Sequence, residues 1–285
     1  MKKSIFAAAI LLSVIAANAQ NKIPFKFRLL PKHTYTVEGF TNIDSRINTL
    51  GQGNAMPKGG QAQKFENKGN VTMSYTIATG APDAKGTFPF IITVNSFLSK
   101  NTINGKEQPG PQNNPVKGAR SQGTITADGK MHTETITFVT ADEKTTKAIV
   151  NMLNKFGDQI QFPARAMRVG ESFTQDKPFN MANGGKNVDI KTTVTYTLKG
   201  IQGNLAFFNT KEVIVTNINA QKGGRKADVK TSGTGKGTMV YDIANGFAVS
   251  KTDNLTTQMN MTMGTMNMDI NAVAAVSYKA KINAN

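Results

Sequence analysis

Cysteine and tryptophan are absent from the 285 residues, and histidine occurs only as His33 and His132. Without cysteine there is no disulfide, no thiolate metal site and no lipid-bearing cysteine behind an export signal. Neither histidine has a carboxylate or a second imidazole at a metal-ligand spacing, which argues against a hydrolytic zinc centre. A serine nucleophile on a sharp turn needs a second glycine, which Gly170-Glu171-Ser172-Phe173-Thr174 lacks. Gly233, Gly235 and Gly237 alternate along a strand and do not lead into a helix, so they make no phosphate loop. Their smooth stripe predicts close approach of another backbone or a large ring. With no tryptophan and five tyrosines, the aromatic girdles of an outer-membrane barrel are missing too. No constellation of residues specifies a reaction, and the expectation is a protein that is not an enzyme and uses no cofactor.

Acidic residues are the other shortage, with 18 aspartates and glutamates against 34 lysines and arginines. Met1 to Ala19 has a basic start at Lys2 and Lys3, an apolar run from Ile5 to Ala16, and Ala17-Asn18-Ala19 before Gln20. That is the pattern of a signal peptide cut after Ala19. The run is too short for a permanent anchor, and no later stretch approaches the roughly 20 apolar residues of a spanning helix. Cleavage leaves 266 residues with 32 basic and 18 acidic side chains, a net of +14. Such a surplus attracts an anionic envelope surface, although the lysines are scattered and only Lys222 to Lys230 is locally dense. No basic patch interleaves with aromatics as nucleic-acid binding requires, and export removes the chain from such partners. The expectation is a soluble product in the periplasm or outside the cell of a Gram-negative bacterium, with its oligomeric state open.

Most of the remaining sequence reads as strands and turns. Thr34 to Phe40, Val71 to Ile77, Phe88 to Phe97, Val188 to Leu198 and Leu205 to Ile218 are rich in β-branched and aromatic residues. Hairpins are predicted around Asp128-Gly129 and Asn245-Gly246, dipeptides suited to type I′ turns. Gln20 to Pro31 alternates and is expected to pair along a sheet edge, and Asn104 to Arg120 reads as a long surface loop. Thr140 to Gly157 breaks the β pattern. Thr140 and Glu143 have capping-box spacing, Ala148, Ile149, Met152, Leu153 and Phe156 form one apolar stripe, and Gly157 can end the helix. A connecting α-helix over about 141–156 is predicted, its stripe covering a sheet face or an open end.

The order of parts repeats on either side of that helix, with Tyr75 answering Tyr196 and Gly129 answering Gly246. The predicted fold is mainly β: two similar antiparallel meander halves, about 20–139 and 162–285, forming one sandwich or open barrel as a single domain. Phe162-Pro163, Arg168-Val169-Gly170-Glu171-Ser172-Phe173, the Tyr196 strand, and Gly235-x-Gly237 leading to Asp242-x-x-x-Gly246 carry a resemblance. The layout resembles secreted bacterial proteins that share a β-rich domain of unknown function, with Phe173 where such proteins have tryptophan. The resemblance implies an exported β-rich protein and supplies no catalytic or binding residues.

The most distinctive stretch is Met259 to Met268, MNMTMGTMNM. A two-residue turn at Gly264-Thr265 would set Met263 opposite Met266, Met261 opposite Met268 and Met259 opposite Ile270, all on one face. Methionine packs irregular apolar space and lines adaptable grooves, and clustered thioethers also suit copper(I). The candidate ligand-binding residues are thus Met259, Met261, Met263, Met266 and Met268. They point to a protein that acts by binding, first of all an apolar or amphiphilic ligand such as a lipid. An interaction protein without a small ligand is the alternative, and copper(I) binding a more distant one.

Overall fold

The computed structural model describes residues 22–50, 63–108, 116–137, 160–183, 186–222, 225–263 and 266–285. Twelve strands follow one another: β1 (His33–Leu50), β2 (Gln63–Thr79), β3 (Phe88–Ile103), β4 (Lys106–Gln108), β5 (Arg120–Ile125) and β6 (Met131–Thr137) come first. β7 (Ser172–Asn183), β8 (Lys186–Gln202), β9 (Leu205–Lys222), β10 (Arg225–Asp242), β11 (Phe247–Met263) and β12 (Met266–Ala284) complete the set. All belong to one antiparallel sheet in the order β6-β5-β3-β2-β1-β12-β11-β10-β9-β8-β7, with β4 paired to β3 beside this path. The sheet is open, because β6 and β7 at its two ends do not pair. The strands do not divide into two packed sheets, so the architecture is not a sandwich. The predicted helix and signal peptide lie outside the described residues.

The long strands run to 19 residues, or roughly 60 Å at the usual rise. Alternation along them is continuous: in β9, Ala206, Phe208, Thr210, Glu212, Ile214 and Thr216 share one face and Lys211, Val213 and Val215 the other. Register carries that face across the sheet, and it is the inner face, since its first rows hold the buried core. One core cluster contains Tyr35, Val37, Ile77, Phe90, Ile92, Val94, Ile125 and Phe247; a second contains Val194, Tyr196, Leu198, Phe208, Met239 and Tyr241. Both lie at the same end of the strands, and Tyr278 of β12 touches both. The outer face carries opposite charges across β1 and β2, with Arg46–Glu66 at 3.7 Å and Lys68–Asp44 at 3.8 Å. A surface of that kind is solvated.

Several local expectations are corrected. Residues 24–30 form no edge strand; an isolated bridge joins Ile23 to Met167, and the segment then crosses the core end of the sheet. Phe25 inserts between Phe162, Phe208 and Tyr241, at ring-centroid distances of 5.3, 5.3 and 5.8 Å, while Leu29 joins the other cluster. The Tyr241 hydroxyl donates to the Lys26 carbonyl (2.6 Å), and the Leu30 N–H donates to the Tyr35 hydroxyl (2.7 Å). The prolines that suggested an edge instead suit a strap held by side chains. The stretch read as one long loop from Asn104 contains β4, and its Val116 and Ala119 are buried. At the two predicted hairpins only Gly129 (φ 88°) and Gly246 (φ 65°) are left-handed, so neither turn is type I′. Asn104 and Gly105, with φ of 50° and 76°, make that turn between β3 and β4.

Candidate functional site

Rows of residues opposite one another across the sheet define the inner face. Nearest the core, Tyr278, Lys251, Met239, Phe208 and Leu198 are aligned from β12 to β8. The next row reads Asp253, Gly237, Thr210, Tyr196 and Phe173, and the one after it Leu255, Gly235, Glu212, Val194 and Gln175. A fourth runs Thr257, Gly233, Ile214, Thr192 and Lys177. Four charged side chains therefore climb diagonally from Lys251 through Asp253 and Glu212 to Lys177, on a face that began as aromatic core.

The glycines on β10 make the diagonal possible. Strands β9 and β11 are separated by β10, so their side chains stand roughly 10 Å apart at the backbone. With no side chain at 235 or 237, groups from either side meet over β10. Lys251 Nζ lies 3.2 Å from Glu212 Oε1 and 2.5 Å from Asp253 Oδ2, and Thr210 Oγ1 donates to Asp253 Oδ1 at 2.8 Å. A Cβ on Gly237 would overlap Asp253 Oδ1 and the Thr252 carbonyl and stand 2.8 Å from Thr210 Oγ1. On Gly235 it would run into the Leu255 side chain. The stripe was expected to admit a backbone or a large ring; it admits side chains of its own neighbours.

Burial makes these pairs strong. Glu212 and Asp253 are 7% and 4% exposed. Burial pulls the Lys251 ammonium down, but Asp253 and Glu212 more than offset it and hold the amine protonated far above its ordinary range. Lys177 has the opposite balance: desolvation and then repulsion from Lys251 lower it, against weaker attraction from Glu212 and Asp253. Among the described residues no carboxylate forms an ion pair with Lys177. Tyr196 is fully buried, its phenol pushed up to about 12 by desolvation, and its hydroxyl has no hydrogen-bond partner among the described residues.

Beyond this diagonal the inner face is apolar on one side, from β2 to β11. Phe65, Ile47, Ile270 and Met259 form one row, which continues onto β10 and β9 as the buried Thr231 and Thr216. Met268, Met261, Val229 and Ile218 form the next. Met263 pairs with Met266 at the tip. The register is the one that the Gly264-Thr265 turn predicts, and all five methionine positions fall on the inner face by alternation. Met259, Met261 and Met268 are half-buried, as are Ile47, Phe65 and Ile270; Ile43, two rows nearer the core, is 37% exposed. The methionines stand apart from the charged diagonal, at the far end of the strands. His132 is exposed and His33 Nδ1 lies 2.7 Å from the Pro31 carbonyl. Among the described residues no group of His, Asp and Glu could hold a metal ion.

Sequence reasoning overlooked Lys177, Tyr196, Glu212, Lys251 and Asp253 as a group. The signal was present in parity: Glu212 continues the Ala206-Phe208-Thr210 face of β9, and Lys251 and Asp253 continue toward Leu255, Met259 and Met261 on β11. Charge on an otherwise apolar strand face marks either a wet surface or a built polar site.

No protein-family model matches the chain, and no curated protein matches it. Among solved structures the chain is similar to one described as lipid–protein interactions in lipovitellin, at 11% identity and a TM-score of 0.46. That match covers 90% of this chain and 26% of the other, so the chain spans about a quarter of its length. It is also similar to Pseudomonas aeruginosa OpdQ, at 7% identity over 88% of this chain and 100% of that one, with a TM-score of 0.25. For Pseudomonas aeruginosa OccK5 (OpdH) the values are 6%, 86%, 98% and 0.26. Scores this low carry no argument about fold or function.

Proposed function

We propose that this chain is an exported, non-enzymatic envelope protein that binds an apolar or amphiphilic ligand along the inner face of its open sheet. The observation that carries the reading is the pair of apolar rows from Phe65 to Met259 and from Met268 to Ile218, whose side chains, where described, are only half-covered. Their outward neighbours Lys64, Glu66, Arg46, Asn260 and Thr262 are polar, so the apolar side is selective for one face. A contiguous apolar face that the fold leaves part-open marks a site for something apolar. Met259, Met261, Met263, Met266 and Met268 would supply its adaptable end.

In the same reading Met1 to Ala19 is a signal peptide, removed after Ala19. Two halves of common origin, about 20–139 and 162–285, make up the rest. The two core clusters, one built chiefly on β1–β5 and the other on β8–β11, support that division.

Mass spectrometry of protein purified from the native envelope tests the function. Bound lipid, together with uptake of a fluorescent fatty acid by the emptied protein, is expected. A clean apo spectrum with no uptake would overturn the reading in favour of an interaction protein without a small ligand. Copper(I) binding tighter than micromolar under reducing conditions, with no lipid, would instead favour the thioether reading.

A further inference from the structure

The outer face pairs its charges across strands: Arg46 with Glu66, Lys68 with Asp44, and Lys191 with Asp176 at 3.1 Å. Lys211 and Lys236 break that pattern. They stand directly opposite one another on β9 and β10, both exposed, and among the described residues neither forms an ion pair. Their row reads Thr174, Thr195, Lys211, Lys236, Asn254 and Ala275 from β7 to β12. The row nearer the core reads Ser172, Thr197, Asn209, Thr238, Thr252 and Ser277. Neither row holds a carboxylate. Glu212 and Asp253 project to the inner face, where Lys251 engages them. Like charges directly opposite in a sheet repel, so an anion between these two ammoniums would turn a destabilising pair into a favourable one.

The same place is hollow. A depression of about 510 Å³ is lined by Lys211 and Lys236 together with Asn209, Asn254, Thr238 and Thr252. Its volume lies in the range that holds small ligands, and its lining contains no aromatic ring and no carboxylate. The Thr238 and Thr252 hydroxyls bond one another at 2.9 Å and keep lone pairs for further donors, and each asparagine amide both donates and accepts. Such a lining suits a ligand that carries hydroxyls. A phosphate monoester, with close to two negative charges, matches two lysines acting as point charges.

We propose that Lys211 and Lys236 hold the phosphate of a phosphorylated saccharide whose hydroxyls lie against Asn209, Thr238, Thr252 and Asn254. The site is on the face opposite the apolar rows and does not rest on the binding function proposed above. A neutral sugar leaves the two ammoniums facing one another, and an alkyl chain finds nothing apolar there.

The test is a titration of the full chain followed by amide NMR shifts, at constant ionic strength, with glucose 6-phosphate, glucose and inorganic phosphate. Glucose 6-phosphate should saturate, with shifts centred on residues 209–211, 236–238 and 252–254, and bind about tenfold more tightly than glucose and about threefold more tightly than phosphate. Lys211→Gln and Lys236→Gln should each weaken it about threefold, and together erase its advantage over glucose. Lys100→Gln, which removes the same charge from the outer face of β3, should leave its Kd unchanged. All three lysines are exposed, so their replacement leaves the core intact. Equal binding of glucose 6-phosphate and glucose would overturn the assignment of the phosphate, and equal binding of inorganic phosphate and glucose 6-phosphate that of the saccharide. An advantage that survives the double substitution, shifts spread without saturation over lysines of the whole chain, or no shift at all would overturn the site.

Discussion

Replacing Lys251 by methionine keeps the length of the side chain and removes the one cation that, among the described residues, is bonded to two buried carboxylates. Glu212 and Asp253, 7% and 4% exposed, would then face each other with only the more distant Lys177 in compensation. Removing one partner from a buried ion pair leaves an uncompensated charge and costs about 3 to 5 kcal/mol. For a chain of this size that corresponds to a fall in Tm of roughly 6 to 20 °C. The pH dependence gives the cost a signature. In the variant two desolvated carboxylates stand close together without the ammonium, a setting that favours the protonated form. A raised carboxyl pKa means that the folded state takes up more protons than the unfolded one, so lowering the pH stabilises the folded variant. The deficit relative to wild type should therefore be largest near pH 7 and narrow by about 1 to 2 kcal/mol toward pH 4.5. Urea unfolding followed by tyrosine fluorescence at the two pH values measures it, with Lys251→Arg as the variant that keeps the charge. A deficit under about 1 kcal/mol at pH 7, or one that widens as the pH falls, would show that the cluster is wet and that the reasoning is wrong.

Gly237→Ala should cost about 2 to 4 kcal/mol, because its Cβ displaces the Asp253 carboxylate from Thr210; a neutral effect in the same urea assay would show that the gap over β10 is not needed. Tyr196→Phe should leave stability unchanged or raise it by up to about 1 kcal/mol, since the hydroxyl it removes has no partner among the described residues; a loss beyond that would reveal one. Phe25→Ala should cost about 3 to 5 kcal/mol by emptying the space between Phe162, Phe208 and Tyr241, seen as a lowered Tm in thermal unfolding.

The β class, both hairpin positions and the pairing of Met261 with Met268 were legible because each depends on short-range information: side-chain alternation and a glycine at a turn. The interior course of residues 24–30 was not, since nothing local to Ile23-Pro24-Phe25 distinguishes a strand from a strap whose partner rings come from Phe162, Phe208 and Tyr241. The methionines drew attention by their density, whereas Glu212, Lys251 and Asp253 looked like ordinary polar members of alternating strands. Only the pairing of β9, β10 and β11, with Gly235 and Gly237 between, shows that their charges meet. Strand length also misled: the strands inferred to have seven residues at Thr34 to Phe40 and Val71 to Ile77 run to 18 and 17, because their far halves mix half-buried residues with solvated ones and lack the dense aromatic signal of the core end.

The pairing of β1 with β12 along eighteen residues, from His33 opposite Ala284 to Leu50 opposite Asn267, has a kinetic consequence. The first strand of the described chain waits for β12 before either has both its neighbours, so the sheet joins at its middle only once β12 has been made. Until then β1–β6 and β7–β11 are two ribbons, each with a bare edge, and closure of so long a loop is slow. A chain shortened by its final strand should persist as two such ribbons exposing β1 and β11 to whatever extended backbone comes near. The centre of the finished sheet is therefore its latest contact, and the place where an incomplete copy would aggregate.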